Sequence, residues 1–249
     1  MYPSRPMEAS ARRLAIVCLP TYNERENLER MLLAIGRAAP GVRVLVIDDN
    51  SPDGTGEIAD RLAAELGYVD VLHREVKEGI GPAYLAGFRR ALELGADLIL
   101  EMDCDFSHDP GALPGLLAAA ADADLVLGSR YVPGGSVANW GLSRRLISSF
   151  GSAYARVVLG VSVRDLTGGF KCYRRAALEA IDLDAVTARG YAFQIETTYR
   201  VLRASLRVVE VPIRFTDRER GGSKMSRSIV LEAMWKVPLL RAAALTGRL

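Results

Sequence analysis

Apolar and polar positions along the chain follow two alternating periods. "LAIVCLP" (14–20) is an unbroken apolar run of strand length, whereas "ENLERMLLAIGRAAPG" (26–41) sets Leu28, Met31, Leu32 and Ile35 at helical spacing. The alternation continues with strand "VRVLVID", helix "TGEIADRLAAELG", strand "VDVLH", helix "GPAYLAGFRRALELG", strand "DLILEMD", helix "PGALPGLLAAAADA" and strand "DLVLGS". Gly67 and Gly95 close the second and third helices. Strands separated by helices in this way predict an α/β fold with a mostly parallel sheet flanked by helices.

After residue 130 the pattern changes. "YVPGGSVANWGLS" is a glycine-rich loop, "RRLISSFGSAYARVVLG" an amphipathic helix, "GGFKCYR" a strand, "YAFQIETTYRVLRAS" a helix and "RVVEVPIRFTD" one long strand. A basic loop, "RERGGSKMSR", precedes a last apolar helix expected to break near Pro238. No linker separates domains. The expected organisation is a polar lead (1–13), one catalytic domain (14–225) and a C-terminal amphipathic helix (226–249).

In parallel sheets ligands bind beyond the carboxyl ends of the strands, and four polar clusters fall there: "PTYNE", "DDNSPDG", "DCDFSHD" and "SRY". Asp103 and Asp105, two apart in an extended segment, face one side and suit a hard divalent cation, Mg2+ or Mn2+, bridging to a diphosphate. A solvated, Asp-rich strand exit is the alternative. Asp49 fits either a turn or a hydrogen-bond acceptor for a base or ribose. "LPTYNE" fits either a helix cap near Asn27 or a nucleoside site in which Tyr22 offers a flat face and Glu24 an acceptor. Arg130 is either a solvated charge or a bidentate grip on phosphate. His73 and His108 are isolated, with no partners for a triad or a zinc cage.

Other classes are disfavoured. No glycine-rich dinucleotide fingerprint follows the first strand and no GK[ST] phosphate loop occurs. A formal net charge of +2 over 249 residues provides no global field for nucleic acid. Cys18, Cys104 and Cys172 are scattered and odd in number, which suits a reducing, cytoplasmic setting. The N-terminal "MYPSRPMEASARR" lacks a signal's apolar core, and no stretch reaches the roughly 18 apolar residues of a membrane span.

"PTYNERENL", "VIDDNSPDGT", "MDCDFSHDP", "GSRYVPGG", "DLTGGFKCYRR", "GYAFQIE" and "VPIRFTDRERGGSKMS" together resemble the dolichol-phosphate mannosyltransferases, or polyprenol monophosphomannose synthases, of the inverting family 2 glycosyltransferases. The resemblance spans about residues 14–235. It implies a GT-A fold with an acceptor-side C-terminal portion and transfer of mannose from GDP-mannose to polyprenyl phosphate. It further implies that Pro20, Tyr22, Glu24, Ile47 and Asp49 contact the nucleoside. Asp103 and Asp105 would hold the metal and diphosphate, with Cys104 adding backbone contacts. Arg130, Arg218 and Lys224 would grip the donor diphosphate and acceptor phosphate, with Arg144 or Arg145 assisting at the acceptor. Some relatives place a metal-binding Gln where Ser107 stands; the shorter side chain implies contact through water or its hydroxyl. The rival enzyme is a UDP-glucose-dependent polyprenyl-phosphate glucosyltransferase, and the rival of another class is a catalytically silent nucleotide-sugar-binding subunit.

A lipid acceptor without a membrane span implies peripheral attachment at the cytoplasmic face of a membrane. The apolar faces of 144–158 and 227–240 or a separate anchoring protein would supply it, with core packing as the alternative for either helix.

Overall fold

The computed structural model describes residues 13–139, 141–217 and 227–249. Its sheet is built from β1 (Ala15–Thr21), β2 (Arg43–Asp48), β3 (Val69–His73), β4 (Leu98–Glu101), β5 (Leu125–Ser129), β7 (Lys171–Arg174) and β8 (Val208–Pro212). The order across the sheet is β3-β2-β1-β4-β7-β5-β8. All pairs are parallel except those of β7, which runs antiparallel between β4 and β5.

Alternate residues on each strand face opposite layers, as the period of two requires. Ile16 and Cys18 of β1, Leu45 and Ile47 of β2 and Ile99 of β4 share one core. Its helices are α3 (Ile80–Glu93), α5 (Leu142–Leu159), α6 (Arg175–Ala180), α7 (Tyr191–Arg203) and α8 (Arg227–Leu245). Val17, Leu19, Val44, Val46 and Leu100 face a second core with α1 (Leu28–Ala38), α2 (Thr55–Leu66) and α4 (Leu113–Ala119). Burial on both faces explains why β1, β2, β4 and β5 are near-continuous apolar runs. Helix α3 lies close on the sheet: a Cβ at Gly87 would stand 2.3 Å from Ile47 Cδ1 and 3.3 Å from Cys18 Sγ.

Four expectations need correction. The stretch 207–217 is not one strand, because the chain turns at buried Ile213, whose N–H donates to Ser129 O at 3.0 Å. β9 (Arg214–Phe215) then leaves the main sheet and pairs with β6 (Ser136–Val137), which forms inside the expected glycine-rich loop. The helix expected over 110–123 is a 3-10 turn (Pro110–Ala112) followed by the short α4.

Helix α8 also does not break at Pro238. A proline has no N–H, so the carbonyl four residues earlier, Met234 O, loses its helical partner. The Tyr154 hydroxyl of α5 donates to that carbonyl at 3.0 Å. Val237, Leu240 and Ala244 are buried on the inner side, in the core shared with α5 and α7.

Candidate active site

The strand order reverses between β1 and β4, since β2 and β3 extend one way from β1 while β4 starts the other half. A crevice at the carboxyl ends is expected at such a switch point. The clusters after β1, β2 and β4 surround it.

On the β1–β2 side the loops are tied together. Asp48 accepts the Ser51 and Thr21 hydroxyls at 2.6 and 3.2 Å and the Ser51 N–H at 3.1 Å. Ser51 Oγ accepts the Asn23 N–H, and Thr55 Oγ1 accepts the Glu24 N–H. Asp48 is thus a turn residue that fixes the loop, leaving Asp49 as the residue presented beside it. Glu24 Oε2 accepts Asn27 Nδ2 at 2.8 Å, and the start of α1 has no side-chain cap.

Two cations that no motif marks, Arg74 and Lys77, complete this side. Arg74 donates to Asp49 Oδ1 at 2.5 Å and to Glu78 at 2.7 Å, and Lys77 Nζ stands 3.7 Å from the centre of the Tyr22 ring. Burial raises the Asp49 carboxyl above its ordinary value, with Arg74 opposing that shift. Pro20 and Ile47 are paired in register on β1 and β2, with Ile47 fully buried, so only backbone or ring edges are available there.

The β4 end carries the carboxylate pair. The segment is bent rather than extended, with Phe106 at φ 61°, and Asp105 Oδ1 accepts the Ser107 N–H at 3.0 Å. Asp103 Oδ1 accepts the Tyr84 hydroxyl of α3 at 3.2 Å. Burial, then the nearby Asp103 charge, hold the Tyr84 phenol well above its ordinary value, so it stays a donor. Cys104 is buried between the two carboxylates. Among the described residues no three His, Cys, Asp or Glu side chains gather as a protein metal cage. Two carboxylates with oxygen-only donors fit a hard cation that takes its remaining ligands from water and a substrate diphosphate.

His108 is not isolated. It is 1% exposed, and its Nδ1 accepts the Asp103 N–H at 3.1 Å. Its ring stacks on Phe170 at 4.9 Å and meets Phe215 edge-on at 5.3 Å. Burial lowers its pKa, with the Asp103 and Asp105 charges opposing that shift and Arg130 adding to it.

Arg130 follows β5 and is buried. Its Nε and Nη2 fork onto Asp165 at 2.7 and 2.6 Å, its own N–H donates to Asp165 Oδ2 at 2.9 Å, and Nη2 also reaches Thr167. Asp165 is fully buried. The guanidinium expected at the phosphates therefore also holds the "DLTGG" loop against the crevice. Below it, Lys171 and Glu101 oppose each other on β7 and β4, and Tyr173 and Thr197 hydrogen-bond between them.

Arg218 and Lys224 lie outside the described residues. Arg144 and Arg145 lie in the first turn of α5, and their side chains are likewise outside what is described. Arg74, Lys77 and Tyr84 carry no spacing signal that singles them out; Asp165 opens the quoted "DLTGG" segment, and its role is recognisable only from its pairing with Arg130.

A model of glycosyl transferase family 2 matches residues 16–182. An undecaprenyl-phosphate mannosyltransferase of Micrococcus luteus is 53% identical over 222 residues, 89% of this chain and 91% of that protein. Glucosyl-3-phosphoglycerate synthase of Mycobacterium tuberculosis, solved with uridine diphosphate, superposes with a TM-score of 0.67 at 20% identity, over 96% of this chain and 86% of that one. A mannosyltransferase of Pyrobaculum calidifontis, solved with GDP-Man and Mn2+, superposes with a TM-score of 0.59 at 16% identity, over 98% and 78%. These two structures share the GT-A fold with this chain.

Proposed function

The chain belongs to glycosyl transferase family 2, and from that premise we propose that it transfers mannose from GDP-mannose to a polyprenyl phosphate with inversion, releasing GDP. The observation that carries this reading is the carboxylate pair Asp103 and Asp105 at the sheet's switch point, beside the Tyr22, Glu24 and Asp49 cluster. The choice of mannose and of a polyprenyl acceptor follows the 53% identity to an undecaprenyl-phosphate mannosyltransferase. The uridine diphosphate of the glucosyl enzyme belongs to a protein only 20% identical and does not move the donor assignment.

In this mechanism Asp49, Glu24 and Tyr22 receive the nucleoside, and Asp103 and Asp105 would hold a divalent cation. When bound, Mg2+ or Mn2+ would supply positive charge to the diphosphate. The acceptor is a phosphate monoester, whose second pKa is about 6, so it arrives as an anion and needs no strong general base. What the protein must do is set the two anions in line. Arg130, braced by Asp165, sets positive charge beside the carboxylates. Arg218 and Lys224, with Arg144 or Arg145, are the candidate grips on the donor and acceptor phosphates.

No helix among the described residues is long and apolar enough to cross a membrane. The lipid substrate is met instead at the outer side of α5 and α8, where Phe150, Val157, Met234, Trp235 and Leu239 are between 54% and 75% exposed. The Tyr154 to Met234 bond joins the two helices side by side. The inner side of α8 packs in the core, which leaves the outer face for the membrane contact proposed here. Trp235→Glu is expected to reduce sedimentation with polyprenyl-phosphate vesicles while leaving thermal stability unchanged; unchanged sedimentation would remove this face from the account.

The site assignment is tested by titrating GDP and UDP against wild type and Asp105→Asn, with Mn2+ or EDTA. The expected result is GDP binding that Mn2+ strengthens in wild type and not in the variant. Preference for UDP would move the donor to UDP-glucose, and binding blind to Mn2+ would remove the metal role of the pair.

A further inference from the structure

His108 ties together three segments that meet at the carboxylate pair. Its Nδ1 accepts the Asp103 N–H, so this nitrogen carries a lone pair and the ring is held as the Nε2–H form. Phe170, which stacks on the ring, ends the loop that begins with Asp165, the partner of Arg130. Phe215 of β9 meets the ring's edge and also forms a backbone bridge with His108. Beside it Thr216 N–H donates to Ser107 O at 3.2 Å and the Thr216 hydroxyl to Phe106 O at 2.9 Å. The loop bearing Asp103 and Asp105 is thus held from inside by one imidazole and along its rim by β9.

The Asp103 peptide follows the last β4 residue by two positions, beyond the strand's own pairing. Its N–H is bonded to the imidazole rather than to another strand, so the direction in which Asp103 leaves the sheet depends on that acceptor. A carboxylate displaced by as little as about 1 Å holds a shared cation less well.

We propose that His108 is a positioning residue: through Nδ1 it fixes the Asp103 backbone so that Asp103 and Asp105 present their carboxylates together to a divalent cation and a nucleoside diphosphate. This rests on the metal role given to the pair above. The role is that of a neutral acceptor, and proton transfer to the substrate has no part in it.

Three variants separate the acceptor from the ring. In His108→Asn the amide oxygen takes the place of Nδ1, in His108→Gln the amide reaches the place of Nε2, and His108→Phe keeps an aromatic ring with no acceptor. GDP binding is titrated over a range of Mn2+ concentrations, with guanosine binding in EDTA and the thermal midpoint as controls, and kcat and KM for the acceptor are measured alongside. In His108→Phe the Mn2+ needed for half-maximal GDP binding should rise about five- to tenfold, the worth of one lost hydrogen bond, with guanosine binding unchanged. kcat should fall with little change in acceptor KM. His108→Asn should return the Mn2+ requirement to within about twofold of wild type. If His108→Phe does not fold, the same contrast is read between His108→Asn, which retains the acceptor, and His108→Gln, which displaces it. Wild-type Mn2+ dependence in the acceptor-less variant, or no advantage of Asn over Phe or Gln, would overturn the positioning role alone. Wild-type binding indifferent to Mn2+ would overturn the metal reading beneath it.

Discussion

Arg130→Ala should destabilise the fold more than any change to an exposed charge. The wild-type guanidinium is 5% exposed and Asp165 is fully buried, and the side chain contributes two bonds to that carboxylate, at 2.7 and 2.6 Å. Removing the arginine takes both side-chain bonds from the buried Asp165 carboxylate and leaves it the residue 130 N–H, Thr167 and the more distant charge of Lys171. Breaking a buried pair from one side costs about 3–5 kcal/mol. For a chain of this size that corresponds to a fall in thermal midpoint of roughly 6–20 °C. Arg130→Lys should recover less than about half, because an ammonium cannot reproduce the two-pronged contact. The double variant Arg130→Met, Asp165→Leu removes both charges but still orphans the residue 130 N–H, so a cost of about 1–3 kcal/mol should persist. Urea and thermal unfolding of the four proteins measure these values. An Arg130→Ala midpoint within about 2 °C of wild type would refute the ion pair as a brace, and a selective loss of GDP affinity in that case would return Arg130 to direct phosphate contact.

Three further outcomes are expected. Tyr154→Phe should cost about 1 kcal/mol in wild type and close to nothing in a Pro238→Ala background, where the residue 238 N–H returns to Met234 O; equal costs in a double-mutant cycle would contradict the rescue of the proline by the tyrosine. Burial lowers Lys171 from 10.5 to about 8, so between those values the unfolded chain binds more protons and this group's contribution to stability rises with pH. The advantage of wild type over Lys171→Met should therefore grow by about 1–2 kcal/mol from about pH 7 to about pH 9.5, and a constant difference would contradict it. Burial raises the Cys18 thiol and pushes Cys172 up to about 12, and Cys104 is also enclosed. An aromatic disulfide reagent at about pH 8 should titrate no thiol in the native chain and all three in denaturant, and rapid native reaction would refute that burial.

The alternating layers are legible because burial on both faces writes β1, β2, β4 and β5 as short apolar runs, and the site clusters are legible because they directly follow those runs. What was not legible is non-local. Nothing in "GGFKCYR" says that this strand inserts antiparallel between β4 and β5, since that depends on partners more than 40 residues away in sequence. Asp165 lies 35 residues from Arg130, and the pairing that buries both has no local period. Pro238 was expected to break its helix on a sound local rule, which a hydroxyl from another helix offsets. His108 looked isolated because its partners are a backbone N–H and two aromatic rings, none of which forms a motif with it. The carboxylate pair was anticipated at the crevice, but the loop there turns at Phe106 instead of continuing as a strand.

The most direct test of the central claim is product formation by the purified chain in vesicles containing a polyprenyl phosphate, given GDP-mannose or UDP-glucose with Mn2+ or EDTA. The lipid product is identified by mass and its anomeric configuration by NMR. The expected product is a β-linked mannosyl phosphate of the lipid, formed from GDP-mannose only and abolished by EDTA. A glucosyl lipid, an α-linked product or EDTA-insensitive transfer would contradict it.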